Sequence, residues 1–316
     1  MKRIKFPFLI VLLSIQLACQ SSAQLQTQEK SERKPFRKSD YVINQKIKYT
    51  VEEMENGKIH NAKPKIVLID QKAGKYEFRW IGYDGKKKVV AYQRHDAIDA
   101  VVAADVIKQD DRSYLFTYRI NILPTSPIYY RDFIVQTFAS DTTSIQPENK
   151  TILIGEMTNS ISFFKEGVWR TFGFIGDETE RLWGGNSIKF QLTSRSQPGI
   201  VNCKAVGGEI ATMGVGEDVP RELDDEIPIF EDYANGYTIG PVDNLSGMDK
   251  AARAKYLLDN IPKFLKAGWM SEGTAKIYER LLRKEDLAGA FEQAKRDLKD
   301  EYITSEVFHI IEGLAQ

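Results

Sequence analysis

The sequence predicts a two-part fold: an all-β sandwich over residues 41–215 followed by a C-terminal helical bundle over 245–316. Three observations carry this. First, Tyr114-Leu115-Phe116-Thr117-Tyr118-Arg119-Ile120-Asn121-Ile122 alternates, placing Tyr114, Phe116, Tyr118, Ile120 and Ile122 on one face, as a half-buried strand requires. Second, similar short apolar runs recur on both sides of it, divided by turn signals and with no helical period between them, which favours a sandwich over a barrel. Third, after Leu245 the apolar period becomes that of an amphipathic helix.

The chain opens outside that fold. Lys2, Arg3 and Lys5 precede an apolar run at 6–18 that is too short to span a bilayer, so residues 1–23 read as a secretory signal peptide. Two exits are open. Cleavage after Ser21-Ser22-Ala23 releases a soluble chain beginning at Gln24. Leu17-Ala18-Cys19 instead resembles a bacterial lipobox and would leave Cys19 lipidated, although Gln16 stands where that pattern has Leu. Residues 24–40 form a polar tether in which Lys30, Arg33, Lys34, Arg37 and Lys38 outnumber Glu29 and Glu32.

The strands follow in order. Residues 46–51 and 66–69 flank the turn signal Asn56-Gly57 as a first hairpin, and 75–81 and 88–92 flank Asp84-Gly85 as a second, with Tyr76, Phe78 and Trp80 on one face. In 98–106 the alternation sets small residues (Ala100, Val102, Ala104, Val106) opposite the aromatics of the Tyr114 strand, as facing layers require. Pro124 and Pro127 end that strand, since neither can donate to a ladder. Strands at 133–138, 151–154, 168–175, 187–193 and 200–206 complete the set. Residues 216–244 read as an acidic linker, with Glu217, Asp218, Glu222, Asp224, Asp225, Glu226, Glu231 and Asp232 opposed by Arg221.

In the tail, Ala252, Tyr256, Leu257, Ile261 and Leu265 share a helix side, Pro262 kinks or splits that helix, and Ser271 and Thr304 are N-caps. Trp269-Met270-Ser271 matches Tyr302-Ile303-Thr304, Ile277 matches Ile310, Leu281 matches Leu314 and Leu265 matches Leu298, all at an offset of 33. A constant offset through two helices predicts a duplicated αα-hairpin.

Composition limits the chemistry. Lys plus Arg and Asp plus Glu both number 44, so no net field draws the chain to nucleic acid or anionic lipid, and binding either needs a local patch. Nucleic acid is therefore not an expected partner, and contact with the membrane is expected only through lipidation of Cys19. Both exits consume Cys19, so Cys203 is left without an intramolecular partner. His60, His95 and His309 fall in three elements, none with a second His or Cys at ligand spacing, and the acidic run lacks a calcium loop. No metal, cofactor or catalytic residue is therefore expected, and His95-Asp96 reads as an exposed loop pair. The one stretch composed like a binding surface joins Trp169 and Arg170 to Asp177, Glu180, Arg181 and Trp183: two indoles to stack on sugar rings, and charges of both signs to bond hydroxyls.

Trp80-Ile81-Gly82-Tyr83-Asp84-Gly85, the run from Tyr118 to Ser126, and Leu192 to Val201, together with Gly268-Trp269-Met270 and its paired helices, resemble uncharacterised exported bacterial β-rich proteins with a C-terminal helical module. The resemblance implies an extracytoplasmic module and brings no functional residues with it. The expected function is an exported, non-enzymatic binding or structural protein of the periplasm or cell surface, with a protein or glycan partner. The alternative is a carbohydrate-binding module or carbohydrate-active enzyme that uses the Trp169 to Trp183 loop.

Overall fold

In the computed structural model the described residues are 29–38, 64–137, 143–145, 156–164, 167–175, 181–208, 219–220, 223, 233–243 and 245–315. The signal peptide, Cys19, the strands at 46–51 and 151–154, Asn56-Gly57, Asp177, Glu180 and the acidic residues between 217 and 232 lie outside them. Among the described residues, 33–247 makes one compact unit, and 29–32 with 248–315 another.

The first unit is all β. Its strands are β1 (Lys65–Asp70), β2 (Lys75–Ile81), β3 (Lys87–Gln93), β4 (Ala100–Lys108), β5 (Tyr114–Ile122), β6 (Tyr130–Thr137), β7 (Thr143–Ile145), β8 (Glu156–Phe164), β9 (Gly167–Ile175), β10 (Ser187–Ser194), β11 (Gln197–Gly207) and β12 (Ala234–Val242). They form a meander β1-β2-β3, a four-stranded sheet β4-β5-β10-β7 and a five-stranded sheet β12-β11-β6-β9-β8. The last two pack face to face as a sandwich. Tyr118 of β5 lies 5.5 Å from Phe133 of β6, Phe190 of β10 stacks on Phe133 at 6.3 Å, and Phe172 of β9 meets Phe190 at 5.0 Å. The alternating face of β5 thus supplies the core: Phe116, Tyr118, Ile120 and Ile122 are all buried. Fully burying each such side chain contributes about 1.5–3 kcal/mol.

Several expectations need correction. The small residues of β4 do not face the aromatics of β5 across the sandwich. They are its neighbours in the same sheet, Ala104 beside Tyr118 and Val106 beside Phe116, so the small side chains make lateral room for large rings. Ala234–Val242, inside the segment read as a linker, is a strand paired with β11 along its length. The acidic run before it hid an alternating segment rich in glycine. Residues 29–38 are not a bare tether either. Phe36 is buried against Phe133, its N–H donates to Ala100 O at 2.8 Å, and Arg37 bridges Asn235. The ring fits because Gly236 beneath it has no Cβ to collide with it. The meander has its own core of Ile66, Tyr76, Phe78, Trp80 and Tyr92 with Leu223.

The second unit holds α1 (Lys250–Ala267), α2 (Glu272–Leu282), α3 (Leu287–Lys299) and α4 (Ser305–Ala315). Pro262 sits inside an unsplit α1. Caps start the helices. Asp249 accepts from Ala252 N–H, Ser271 from Thr274 N–H and Asp286 from Gly289 N–H, each contributing about 1 kcal/mol. Thr304 precedes α4, but its hydroxyl is buried without a hydrogen bond, so it does not cap in the manner of Ser271. The duplication is visible in the burial. Ala254, Leu257, Ile261 and Phe264 of α1 recur as buried Leu287, Ala290, Ala294 and Asp297 of α3, each 33 residues on. The two joints also pair with each other, Met270 with Ile303, and Thr304 N–H donates to Trp269 O at 3.0 Å. On the N-terminal side, Ser31 N–H donates to Glu301 O and Lys30 pairs with the Glu301 carboxylate at 2.6 Å.

Candidate functional site

Of the six residues singled out in the sequence, Asp177 and Glu180 lie outside the described residues, and the other four divide between β9 and a surface turn. Trp169 is wholly buried within β9, whose register sets it between Gln136 of β6 and Ser162 of β8. It packs with Ile134 and Val206, and the Lys204 ammonium lies 4.9 Å from its ring centre. A ring with no exposed surface has no face to offer a ligand, so the expected platform of two indoles does not form. Arg170 is half-buried in the same strand, where burial lowers its pKa from the usual arginine value.

Arg181 and Trp183 do come together at the surface, and the local chain explains why. Leu182 is buried and bridges Tyr130, whose N–H donates to Leu182 O at 2.8 Å, so its two neighbours must point outward. The turn that follows is clamped onto the end of β5. Gly185 N–H donates to Ile122 O, and Asn186 caps Trp183 O through both its backbone and its side-chain amide. At Gly184 a Cβ would fall 2.6 Å from Leu123 O, so only glycine allows this approach. Trp183 is left 48% exposed, with its ring edge-on to Tyr129 at 5.3 Å, while the Arg181 guanidinium lies 4.7 Å from the Tyr129 ring centre.

Tyr129 is the member that the sequence reading missed. Its signal is the pair Tyr129-Tyr130 entering a strand. Tyr130 is buried and its hydroxyl donates to Phe172 O at 2.8 Å, so period-two alternation turns Tyr129 outward. Together, an exposed indole, a tilted phenol and a guanidinium on a backbone-clamped turn can stack on a flat or ring-shaped ligand while bonding to its oxygens.

His95, Asp96 and Cys203 of this unit are held inside. His95-Asp96 is buried, not exposed. A short 3-10 turn at His95–Ala97 sets His95 Nδ1 2.9 Å from Gly207 O, and Arg94 pairs with the Asp96 carboxylate at 2.5 Å. Burial raises the nearby Asp132 carboxyl, against the pull of Arg131 and His95. Cys203 is a free, buried thiol pushed well up by desolvation, which suppresses the nucleophilic thiolate. Among the described residues no three His, Cys, Asp or Glu gather as metal ligands.

No family model matches the chain. No curated protein matches it either. Among solved structures it is similar to an uncharacterised protein from Nocardia farcinica described as having an immunoglobulin-like fold. That likeness is at 10% identity over 42% of this chain and 94% of the other, with a TM-score of 0.25, too low to carry an argument.

Proposed function

We propose that this chain is an exported, non-enzymatic binding protein of the cell envelope, and that Tyr129, Arg181 and Trp183 form its ligand contact. The observation that carries the reading is the half-exposed Trp183 indole, held on a clamped turn against Tyr129. A large ring kept at the surface by several backbone hydrogen bonds is a prepared contact, and preorganisation is what makes a small patch bind. Of the two partner classes expected, a glycan suits the patch better: the indole face suits a pyranose ring, and Arg181 suits hydroxyl or carboxylate oxygens. The burial of Cys203 and the pairing of Asp96 with Arg94 favour binding over catalysis. Export rests on the order of charge, apolar run and small residues in 1–23.

The test is a glycan array with the chain from Gln24 onward, followed by titration of the best ligand. Trp183→Ala is expected to weaken binding at least about tenfold with little change in melting temperature. Binding that survives Trp183→Ala would exclude the patch. For export, cell fractionation should place the full chain outside the cytoplasm, and Cys19→Ala should release it from the membrane fraction only if the lipobox is used.

A further inference from the structure

We propose that the β2–β3 hairpin is a second contact element, one that seats on the headgroups of anionic phospholipids. With no net charge on the chain, attraction to such a surface needs a local excess. Residues 64–93 hold one: six lysines and Arg79 against Asp70, Glu77 and Asp84, a net charge of +4. Arg79 is bonded to Glu77. Asp84 is shared by Lys86 at 3.9 Å and Lys88 at 3.8 Å, and Lys87 has no ion-pair partner among the described residues. Half of that excess, Lys86, Lys87 and Lys88 against Asp84, falls within the few residues of the tip.

The tip also carries an aromatic ring. Tyr83 is 95% exposed, although a tyrosine elsewhere in this meander, such as Tyr76 or Tyr92, is buried. It stands on a turn fixed by three hydrogen bonds: Gly82 N–H to Lys86 O, Gly85 N–H to Gly82 O and Lys86 N–H to Asp84 Oδ1. Beside it Lys87, Val89 and Ala91 are exposed on the outer face of β3. A rigid turn with a phenol in front of three consecutive lysines matches the chemistry of a bilayer interface. The ring settles at headgroup depth, the lysine stems lie along the apolar boundary, and the ammonium groups meet phosphates. Each lysine near an anionic surface strengthens binding roughly fivefold, so three together strengthen it about a hundredfold. None of Tyr129, Arg181 or Trp183 takes part, so either proposal can fail without the other.

The experiment is vesicle flotation of the chain from Gln24 onward, which removes any anchor at Cys19. Vesicles are of phosphatidylcholine alone or of phosphatidylcholine mixed with phosphatidylglycerol. The expected result is flotation with the mixed vesicles only, lost at high salt. Lys86→Gln, Lys87→Gln and Lys88→Gln combined should weaken it about a hundredfold, and Tyr83→Ser several-fold, both with the wild-type melting temperature. Three results would each overturn the proposal: no flotation, equal flotation with neutral vesicles, or flotation indifferent to the triple substitution. Binding to soluble heparin as tight as to vesicles and independent of Tyr83 would assign the lysines to a soluble polyanion and overturn it too.

Discussion

Trp169 and Trp183 belong to one stretch of sequence and meet opposite surroundings, because the first lies in an interior strand and the second on a turn beside a buried leucine. Trp169→Ala is accordingly expected to cost about 3–5 kcal/mol in denaturant unfolding, whereas Trp183→Ala should cost well under 1 kcal/mol. A small cost at Trp169 would mean that its cluster with Ile134 and Val206 is not packed as described. In the helical unit, Asp297 replaces the apolar Phe264 of the first hairpin, and its carboxylate accepts from Tyr278 Oη at 2.9 Å and from Gln293 Nε2 at 2.8 Å. Burial raises its pKa above the ordinary carboxylate value, against the opposing pull of those two hydrogen bonds. The folded state therefore holds this proton more tightly than the unfolded one. Its contribution to stability is complete below the unfolded pKa and is lost as pH rises through the raised one. Asp297→Asn, whose Oδ1 can accept from Gln293 Nε2 while its Nδ2 donates to Tyr278 Oη, should raise the melting temperature at neutral pH and flatten its fall as pH rises above the ordinary carboxylate range. An unchanged pH profile would show that another group sets it.

At the scale of elements, Phe36 shows how a short segment can matter more than its composition suggests. It closes over Gly236 against Phe133 while its own N–H and that of Arg37 join β4 and β12. Phe36→Ala should lose about 3–5 kcal/mol of stability, the usual range for a buried phenylalanine, read from a urea midpoint. A loss within 0.5 kcal/mol would make the segment a loose tail after all. The elements that the sequence disclosed were those whose period was uninterrupted: β5 from Tyr114 to Ile122, the hairpin around Asp84-Gly85, and the helices with their repeat at 33 residues. Elements with mixed signals stayed hidden. β12 carries Gly236, Gly240 and Pro241 and follows an acidic run, so composition argued for a linker although β11 pairs with all of it. The burial of His95 could not be foreseen either, since it depends on Gly207, 112 residues away. The candidate surface was half legible for the same reason. Trp183 and Arg181 are local to one turn, whereas Tyr129 arrives from the start of another strand.

Taken whole, the sandwich and the helical unit fill cores that differ in how they are made. The sandwich draws on strands far apart in the chain, such as β5 and β10, which pair although one ends at Ile122 and the other begins at Ser187. The helical unit closes on itself within 248–315. Leu257, Ile261 and Phe264 of α1, Tyr278 of α2, Ala290 and Ala294 of α3 and Ile310 and Leu314 of α4 are all buried, and Arg253 donates to Leu314 O at 3.1 Å to tie its first helix to its last. The two αα-hairpins are held by their joints, where Met270 meets Ile303, so neither copy is left with an open apolar face at that end. A fragment of residues 245–316 should therefore fold alone, giving a helical circular-dichroism spectrum and a single cooperative melt. Because contacts within each hairpin are short in sequence, it should also refold faster than the β unit. Among the described residues Ser31 and Lys30 bond only to Glu301 at the unit's surface, so leaving them out should shift the melt by no more than a few degrees. A fragment without a cooperative transition would show that the duplicated hairpins, despite their filled core, depend on the rest of the chain to fold.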